Sequence, residues 1–547
     1  MSGLPLRLRA IGAKAEAAGK SLAALQRTGL LAPQRPDRTV KLASEVVRRG
    51  PIGGGVSAAA IRWGNATALT DELGSLSYVE LDRRSNAVAR AWHGAGVRSG
   101  DGIAILCRNH RGFLDACFAS YKLGLRIVFM NTEFAGPQID DVCKREKVSV
   151  LVFDEEYDDR APDWAAHHFR AWTDDGSAGG AEATLEDQIA NTSDAPMPVA
   201  AEKPTMVMLT SGTTGTPKGA PRQEGGTLIT LGAIFERVPF RTGEVAYIAP
   251  PFFHALGFAT FNLMLSLGCT IVTRRRFDAE QYLQGLAEHN VTTTVVVPAM
   301  LQRVFELGDE KVRSYDTSDL RIIFCGGAQL PGAVATKTLE LFGDVLYVLY
   351  GSTEVAYASI SVPADHHAAP TTVGKVTLGT QVRLLDDAGN DVAPGETGRI
   401  FVSNGIEFGG YTDGRHKEVI DGVMSSGDVG HFDSEGRLFI DGRDDDMIVS
   451  GGENVFPQEV EELLQTRDDV AEVAVIGVED EDFGKRLAAY IVVMEESEQP
   501  EPDEVKGFVK QNLARYKVPR DVHFIDELPR NATGKIVKRK LAEPAEG

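Results

Sequence analysis

The sequence feature that most constrains the fold is an alternation of short apolar runs with helix-like stretches, from about residue 75 to about residue 450. The apolar runs are at 103–106, 148–153, 206–209, 294–297, 320–325 and 345–349. Runs of this length, separated by helical stretches, are typical of strands in a parallel sheet that is covered on both faces. The pattern therefore predicts an α/β fold in which βα units build mostly parallel sheets.

The pattern changes after Arg443. A helix is expected at 457–466 and strands at 470–478 and 488–493, which together indicate a small α+β unit of about 100 residues. The sequence thus predicts three parts: a basic helical leader at 1–50, a large domain at 51–443 and a small C-terminal domain at 444–547. A polar stretch at 173–204, rich in small residues, is expected to be a linker or a long surface loop.

The net charge of the chain limits the kinds of molecule that it is expected to bind. The net charge is -21, which argues against nucleic-acid binding because affinity for a phosphate backbone needs an excess of Lys and Arg. The leader is the exception, since it carries ten basic and three acidic side chains. Two interpretations stay open for it: a solvated helix packed on the body, or weak contact with an anionic membrane surface through Leu4, Leu6, Leu8 and Ile11. The sequence does not determine the oligomeric state, and a homodimer is one of the alternatives.

The cysteines indicate a reducing compartment. There are five, far apart and without a C-x-x-C spacing, so we expect reduced packing residues and a cytoplasmic protein. The chain contains no H-E-x-x-H motif, so a structural metal is not expected. Residues 245–273 contain no charged side chain, yet Pro250-Pro251 would break a membrane-spanning helix near its start. We therefore expect a buried strand, a loop and a buried helix in this segment.

The strongest local motif follows the apolar run 206–209. It combines glycines, hydroxyl side chains and one lysine in the order Thr210, Ser211, Gly212, Thr213, Thr214, Gly215, Thr216, Pro217, Lys218, Gly219. Glycines let backbone N–H groups approach phosphate oxygens, hydroxyls donate further hydrogen bonds, and a lysine adds a positive charge. The spacing does not match G-x-x-x-x-G-K-[ST], so this predicted phosphate loop is not a Walker A motif.

This motif resembles the signature of the adenylate-forming superfamily, which includes acyl-CoA synthetases, the adenylation domains of peptide synthetases, and luciferases. Further motifs follow in the order of that family: Gly326-Gly327-Ala328, Tyr350-Gly351-Ser352-Thr353-Glu354, Ser426-Gly427-Asp428, Gly442-Arg443-Asp444, Ser450-Gly451-Gly452-Glu453-Asn454 and Pro529-Arg530-Asn531-Ala532-Thr533-Gly534-Lys535. Together they span nearly all the chain beyond the leader. The resemblance implies a large N-terminal domain with a β-rich subdomain, and a small mobile C-terminal domain.

The resemblance also assigns nucleotide-binding roles. Tyr350 would stack on adenine while Gly326, Gly327, Ala328 and Gln329 line the other side of the base. Thr353 would bond the α-phosphate, Gly351 and Ser352 belong to the same nucleotide-binding motif, and Asp428 and Arg443 would bind the ribose. Glu354 is the carboxylate that would hold Mg²⁺, a cation that prefers oxygen ligands, with Thr210 as a second oxygen.

Three further roles come from the same resemblance. Lys535 would be catalytic, because a mobile ammonium lowers the cost of bringing a carboxylate to an anionic α-phosphate. Asp445 would be a hinge that exchanges Lys535 for the loop containing Gly451 and Gly452, which would form a tunnel for coenzyme A. His254, in Pro250-Pro251-Phe252-Phe253-His254, would gate the acyl pocket.

The implied function is an acyl-CoA synthetase that uses ATP to form acyl-AMP and then transfers the acyl group to coenzyme A. A medium- or long-chain fatty acid is the expected substrate, because the apolar stretches 252–267 and 355–359 would line an apolar pocket. This pocket would have no obvious charged partner for the amine of an amino acid. An aryl-acid CoA ligase and an acyl-AMP ligase that delivers to a carrier protein are the alternatives. A non-catalytic nucleotide- and acyl-binding relative is disfavoured, since Glu354, Asp428, Arg443 and Lys535 are intact.

Overall fold

The structure is a computed structural model that describes residues 6–50, 52–174, 184–210, 218–222, 228–406, 408–444, 448–450, 453–455, 457–480, 484–495, 497–513, 517–531 and 536–542. Its helices are α1 (Leu6–Thr28), α2 (Pro36–Arg49), α3 (Gly53–Trp63), α4 (Tyr78–Gly94), α5 (Arg111–Leu123), α6 (Gly136–Arg145), α7 (Leu185–Asn191), α8 (Leu228–Arg237), α9 (Ala255–Ser266), α10 (Ala279–Glu288), α11 (Pro298–Phe305), α12 (Asp309–Arg313), α13 (Gly332–Phe342), α14 (Pro363–Ala368), α15 (Pro457–Leu464), α16 (Pro502–Asn512) and α17 (Arg539–Ala542). A short 3₁₀ helix lies at Glu155–Tyr157.

The strands of the large domain's two main sheets follow the predicted apolar runs. The six-stranded sheet contains β3 (Gly102–Leu106), β4 (Arg126–Phe129), β5 (Val148–Asp154), β6 (His167–Trp172), β7 (Thr205–Thr210) and β8 (Lys218–Arg222). The nine-stranded sheet contains β1 (Thr67–Asp71), β2 (Gly74–Ser77), β9 (Val245–Ile248), β10 (Thr270–Val272), β11 (Thr293–Val296), β12 (Ile322–Gly326), β13 (Leu346–Tyr350), β14 (Ser359–Ser361) and β15 (Lys375–Val376).

Parallel pairing dominates both sheets. In the six-stranded sheet the order is β6-β5-β3-β4-β7-β8, with only the last pair antiparallel. In the nine-stranded sheet β1, β10, β9, β11, β12 and β13 are parallel neighbours. One apolar cluster extends from the first sheet to the second through α5 and α9. The predicted α/β fold class is confirmed.

The remaining strands form two smaller sheets. The first contains β16 (Gln381–Leu385), β17 (Gly398–Ser403), β18 (Val419–Ile420), β19 (Val423–Phe432) and β20 (Leu438–Arg443), all paired antiparallel. The second contains β21 (Ile448–Ser450), β22 (Glu453–Val455), β23 (Val470–Asp480), β24 (Gly484–Val493) and β25 (Asp521–Phe524). This C-terminal sheet has its own apolar core with α15 and α16. The boundary at 443/444 stays a prediction.

Two segments can be compared with their predictions. Residues 245–273 form β9, a loop and α9, as predicted, followed by a further strand, β10. The stretch 173–204 is not only a loop, because α7 lies within it: Thr184 caps the helix by accepting a hydrogen bond from the Asp187 N–H at 3.1 Å, and Leu185 is buried. In the described residues, no helix is both long and apolar enough to span a membrane.

The leader is part of the body. Helix α1 packs against α8, and Ser21, Ala24 and Leu25 are buried in the contact. The fit is close, since a Cβ atom on Gly232 of α8 would lie 2.2 Å from Ser21 Cβ. This packing favours the first interpretation of the leader over the membrane one. The side chains of residues 1–15, on which the membrane interpretation rested, lie outside the described part of the chain.

All five cysteines lie in the large domain and are buried: Cys107, Cys117, Cys143, Cys269 and Cys325. Burial raises the pKa of each thiol. They are free packing residues, in agreement with the sequence analysis.

Candidate active site

The site is built at the carboxyl edge of the nine-stranded sheet. Because β12 and β13 are parallel neighbours, the loops that follow them emerge side by side, where open α/β sheets bind ligands. Strand β12 ends at Gly326, and the loop residues Gly327–Gln329 that follow it are exposed. Gly327 has φ +83°, a backbone conformation that favours glycine.

The loop after β13 folds into a tight turn that carries Glu354. There is no room for a side chain on Gly351, since a Cβ atom would lie 2.1 Å from the Ala356 carbonyl oxygen. The Ser352 hydroxyl accepts hydrogen bonds from the N–H groups of Glu354 and Val355 at 3.2 and 3.3 Å. Thr353 lies at the start of the turn and is partly buried. The turn therefore holds the glutamate in one position at the sheet edge.

Both carboxylate oxygens of Glu354 accept hydrogen bonds. The Ser352 hydroxyl donates to Oε2 at 2.9 Å and the Tyr411 hydroxyl donates to Oε1 at 2.5 Å. Burial alone would raise the pKa of Glu354, but the hydrogen bonds from Tyr411 and Ser352 and the positive charge of Lys417 outweigh it and lower the pKa. Glu354 is therefore a buried carboxylate that stays charged at neutral pH.

A second group of polar residues joins β13 to β19. The Tyr350 hydroxyl donates to Asp428 Oδ2 at 2.7 Å and to Ser426 Oγ at 3.2 Å. Asp428 and Arg443 are paired residues of β19 and β20, and Arg443 Nε lies 3.5 Å from Asp428 Oδ1. The structure thus brings together the predicted adenine residue and both predicted ribose residues.

The base of the predicted phosphate loop is held by distant side chains. The Thr412 N–H donates to the Gly219 carbonyl oxygen at 2.8 Å. The Thr412 hydroxyl donates to Glu146 Oε1 at 2.7 Å, and Glu146 is a buried carboxylate paired with Arg126 and Arg145. Lys218 Nζ lies 5.5 Å from the centre of the Tyr411 ring, so Tyr411 contacts both Lys218 and Glu354.

His254 lies just before α9, in a loop fixed by the neighbouring sheet. The buried Asn109 amide donates to the Pro250 carbonyl oxygen at 2.9 Å and accepts from the Phe252 N–H at 2.7 Å. His254 Nε2 is shielded from solvent and has no hydrogen-bond partner in the described residues. Burial lowers the pKa of His254 to about 4, so its imidazole is neutral at physiological pH.

One contact links this edge to the C-terminal sheet. The Gln329 amide donates to Glu462 Oε1 of α15 at 3.2 Å, and the Gln458 amide donates to the same oxygen at 2.8 Å. Burial and the nearby acidic groups Asp441, Glu461 and Glu459 raise the pKa of Glu462 to about 7.

A separate buried cluster contains Cys107, His110 and Asp154. Asp154 Oδ1 lies 2.7 Å from His110 Nε2, and His110 Nδ1 accepts from the Gly112 N–H at 3.0 Å. Both imidazole nitrogens are therefore engaged, which fits a hydrogen-bonded core histidine and leaves Glu354 as the better metal-binding candidate.

Known families were compared with this chain. Residues 56–412 match the AMP-binding enzyme family, and residues 459–535 match the AMP-binding enzyme C-terminal domain. The first match alone covers more than half of the chain. The chain belongs to the adenylate-forming superfamily. It lies in the CoA ligase branch and is an AMP-forming acid–thiol ligase.

Two curated relatives and one solved structure illustrate the range of this branch. The ligase is 34% identical over 484 residues to a feruloyl-CoA synthase of Amycolatopsis sp, covering 87% of this chain and 95% of that protein. It is 28% identical to the fatty acid–[acyl-carrier-protein] ligase ScoC of Streptomyces coeruleorubidus, covering 86% and 91%. The crystal structure of ATP-bound MatB from Rhodopseudomonas palustris matches with a TM-score of 0.77 and 26% identity, covering 87% and 95%.

Several predicted residues of the ligase lie outside the described part of the chain. They are Ser211, Gly212, Thr213, Thr214, Gly215, Asp445, Gly451, Gly452 and Lys535, together with the side chain of Thr210. Their assignments stay predictions. The described candidates, from Lys218 through Arg443, lie on the elements named above.

The sequence analysis missed the segment 411–417 and Glu146. Tyr411 contacts Glu354 across 57 positions of the chain, and Thr412 contacts Glu146 across 266. No local pattern reveals contacts over such separations.

A methyl group on Gly219 tests the contacts at the base of the phosphate loop. A Cβ atom there would lie 2.5 Å from Thr412 Oγ1, and 2.9 Å from both Glu146 Oε1 and Val207 Cγ1. Because Glu146 is fixed by two arginines, the clash cannot be relieved cheaply. Gly219→Ala should therefore lower the free energy of unfolding by about 1–3 kcal/mol, as measured by denaturant unfolding.

Gly409→Ala is the matched control for this substitution. A Cβ atom on Gly409 would meet nothing within 4 Å, so its free energy of unfolding should stay within about 0.5 kcal/mol of wild type. Equal stability of the two variants would contradict the close packing at Gly219.

Proposed function

We propose that the enzyme is an ATP-dependent acyl-CoA synthetase acting on an apolar monocarboxylic acid. The observation that carries the proposal is the charged, immobilised Glu354, which Tyr411 links to the phosphate-loop lysine. It follows the same strand as Tyr350, which donates a hydrogen bond to Asp428. This arrangement suits a nucleotide whose phosphates lie between Lys218 and Glu354. Membership in the CoA ligase branch supplies the second substrate.

In the first half-reaction the acid's carboxylate attacks the α-phosphorus of ATP, which gives acyl-AMP and releases pyrophosphate. Asp428 and Arg443 would hold the ribose, and Lys218 would neutralise phosphate charge. Lys535, from the C-terminal part, would bridge the attacking carboxylate and the α-phosphate as negative charge develops on its oxygens.

Glu354 fits Mg²⁺ by its chemistry. It is a buried oxygen donor whose lowered pKa keeps it charged, and a hard cation prefers such ligands. A bound Mg²⁺ would neutralise charge on the phosphates. The hydrogen bonds from Ser352 and Tyr411 fix the carboxylate without using all of its lone pairs.

In the second half-reaction the thiol of coenzyme A attacks the acyl carbonyl, forming the thioester and releasing AMP. A hinge at Asp445 would bring Gly451 and Gly452 to the site in place of Lys535. Such an exchange lets one pocket serve both steps while water is excluded. The neutral His254 imidazole borders the pocket and adds no charge to it.

The described wall near the acyl site is aliphatic. Side chains added to Gly326 and Gly327 would lie 3.5–3.8 Å from Leu256 and Val297. Most of the predicted lining packs elsewhere: Phe252 and Phe258 belong to the central core, and Val355 and Ala358 to the core of the β16–β20 sheet. A medium- or long-chain fatty acid is the first candidate, supported by this aliphatic wall and by the fatty acid ligase among the relatives.

An aryl acid is the second candidate. The observation that favours it is the 34% identity to a feruloyl-CoA synthase, which is higher than the 28% identity to the fatty acid ligase. Phe253 lies next to His254, with ring centres 4.5 Å apart, but it is buried in the same central core as Phe252.

A panel of acids distinguishes these candidates. Acid-dependent exchange of labelled pyrophosphate into ATP, followed by CoA thioester formation, would be measured with acetate, octanoate, palmitate, benzoate and ferulate. We expect kcat/KM for octanoate or palmitate to exceed that for ferulate by about tenfold or more. This is the discrimination that one or two methylene groups provide in an apolar pocket.

A preference for ferulate or benzoate would establish the aryl candidate. Exchange without thioester formation would indicate delivery of acyl-AMP to a carrier protein. Absence of exchange with every acid would contradict the synthetase function itself.

A further inference from the structure

The segment after Tyr411 carries two cations without an assigned role, Arg415 and Lys417. Arg415 is exposed and pairs with Asp413. Lys417 is partly buried, and within the described residues its ammonium makes neither a hydrogen bond nor an ion pair. A lysine in such a place gives up part of its hydration, and burial without a hydrogen bond is unfavourable. Its neighbours therefore indicate what it could bind.

Lys417 lies beside the Ser426-Gly427-Asp428 motif. A Cβ atom on Gly427 would lie 3.0 Å from Lys417 Nζ and 3.3 Å from Arg443 Nη2. The two cations thus approach the same glycine, whose φ of +84° keeps this face of the chain open. The positive charge of Lys417 also reaches Glu354, since it contributes to lowering the pKa of that carboxyl.

The ammonium thus lies beside Gly427, the neighbour of Asp428 in the chain, and its charge acts on Glu354. A nucleotide whose ribose is held by Asp428 and whose phosphates extend toward Glu354 would carry its first phosphate through this region. The formal charges of Glu354, Asp428, Lys218 and Arg443 cancel. Lys417 gives the group a net positive charge, which an anionic ligand requires.

The backbone on the C-terminal side of Lys417 is anchored. The Glu418 carbonyl oxygen accepts from the Ser425 N–H at 2.9 Å, and the Glu418 carboxylate pairs with Arg399. Arg399 also pairs with Asp444 at 2.9 Å. The lysine therefore extends from a fixed position toward the nucleotide site.

We propose that Lys417 is a nucleotide-binding residue whose ammonium contacts the α-phosphate of ATP and of the acyl-adenylate. Lys417 belongs to the large domain and would stay in the site throughout the reaction. Lys535, in contrast, would be moved in and out of the site by the proposed hinge. The inference rests on the proposed function and adds a residue to it.

Calorimetric titration of AMP and adenosine into the full chain tests this role, because the two ligands differ only in the phosphate. Lys417→Met should weaken AMP binding by about tenfold or more, as expected for loss of one charge-assisted hydrogen bond. Adenosine binding should stay within about twofold of wild type. Lys417→Arg, which keeps the charge, should retain most of the AMP affinity.

Arg415→Met is the matched control, since Arg415 is an exposed cation on the same segment whose partner is Asp413. It should change neither affinity. Equal weakening of AMP and adenosine binding by Lys417→Met would mean that the residue acts through the fold, and unchanged AMP binding would mean that it makes no phosphate contact; either result overturns the inference. A wild-type chain that binds no AMP contradicts the proposed nucleotide site and the inference with it.

Discussion

Replacing Lys535 by alanine should slow acyl-AMP formation by about 150-fold or more, the equivalent of roughly 3 kcal/mol or more of transition-state stabilisation. The physical reason is that two anions, the acid's carboxylate and the α-phosphate, must approach each other. The measurement is acid-dependent exchange of labelled pyrophosphate into ATP.

Thioester formation from preformed acyl-AMP should be much less affected, because in that step the anionic carboxylate has already been neutralised as an adenylate. Lys540→Ala is a suitable control, since Lys540 is an exposed lysine of the nearby helix α17. An equal loss in both half-reactions would contradict the role assigned to Lys535.

Glu354→Gln should reduce pyrophosphate exchange by about a hundredfold or more, comparable to loss of one preorganised electrostatic group in an active site. Glutamine keeps the shape of the side chain but removes its charge. It also offers only one oxygen, so the hydrogen bonds from Tyr411 and Ser352 can no longer both be accepted.

Two readouts identify the cause of this loss. The concentration of Mg²⁺ at half-maximal exchange should rise if the carboxylate binds the cation, and calorimetry should record weaker binding of ATP in the presence of Mg²⁺. Glu310→Gln, on the exposed surface of α12, removes the same charge far from the site and should change neither. Wild-type exchange in Glu354→Gln would rule out a catalytic function for this carboxylate.

The sequence predicted those parts of the fold that depend on local pattern. Apolar runs such as 148–153 and 320–325 became β5 and β12 because a buried parallel strand must be apolar on both faces. The stretch 173–204 was harder to interpret: its polarity suggested a loop, yet a threonine cap and one buried leucine suffice for the short helix α7.

For the site as well, residues in short motifs could be predicted, whereas residues brought in by tertiary packing could not. Motif residues such as Glu354 and Asp428 could be named, because their roles are tied to short sequence patterns. Tyr411 and Lys417 could not, since their proximity to Glu354 depends on how the β16–β20 sheet packs against the nine-stranded sheet. Likewise, residues 355–359 read as a pocket lining because they are apolar, but Val355 and Ala358 pack in a core instead.

The distribution of cysteines offers a way to observe the two domains separately. All five thiols are buried in the large domain, and the sequence after residue 325 contains none. A thiol-reactive dye will therefore label the protein only when the large domain opens, whatever the C-terminal part does. A single cysteine introduced at an exposed C-terminal position would be the only thiol that reacts while the large domain stays folded. The rate at which it is labelled would then report on motion of the C-terminal domain, and labelling of the five native thiols would report on unfolding of the large domain.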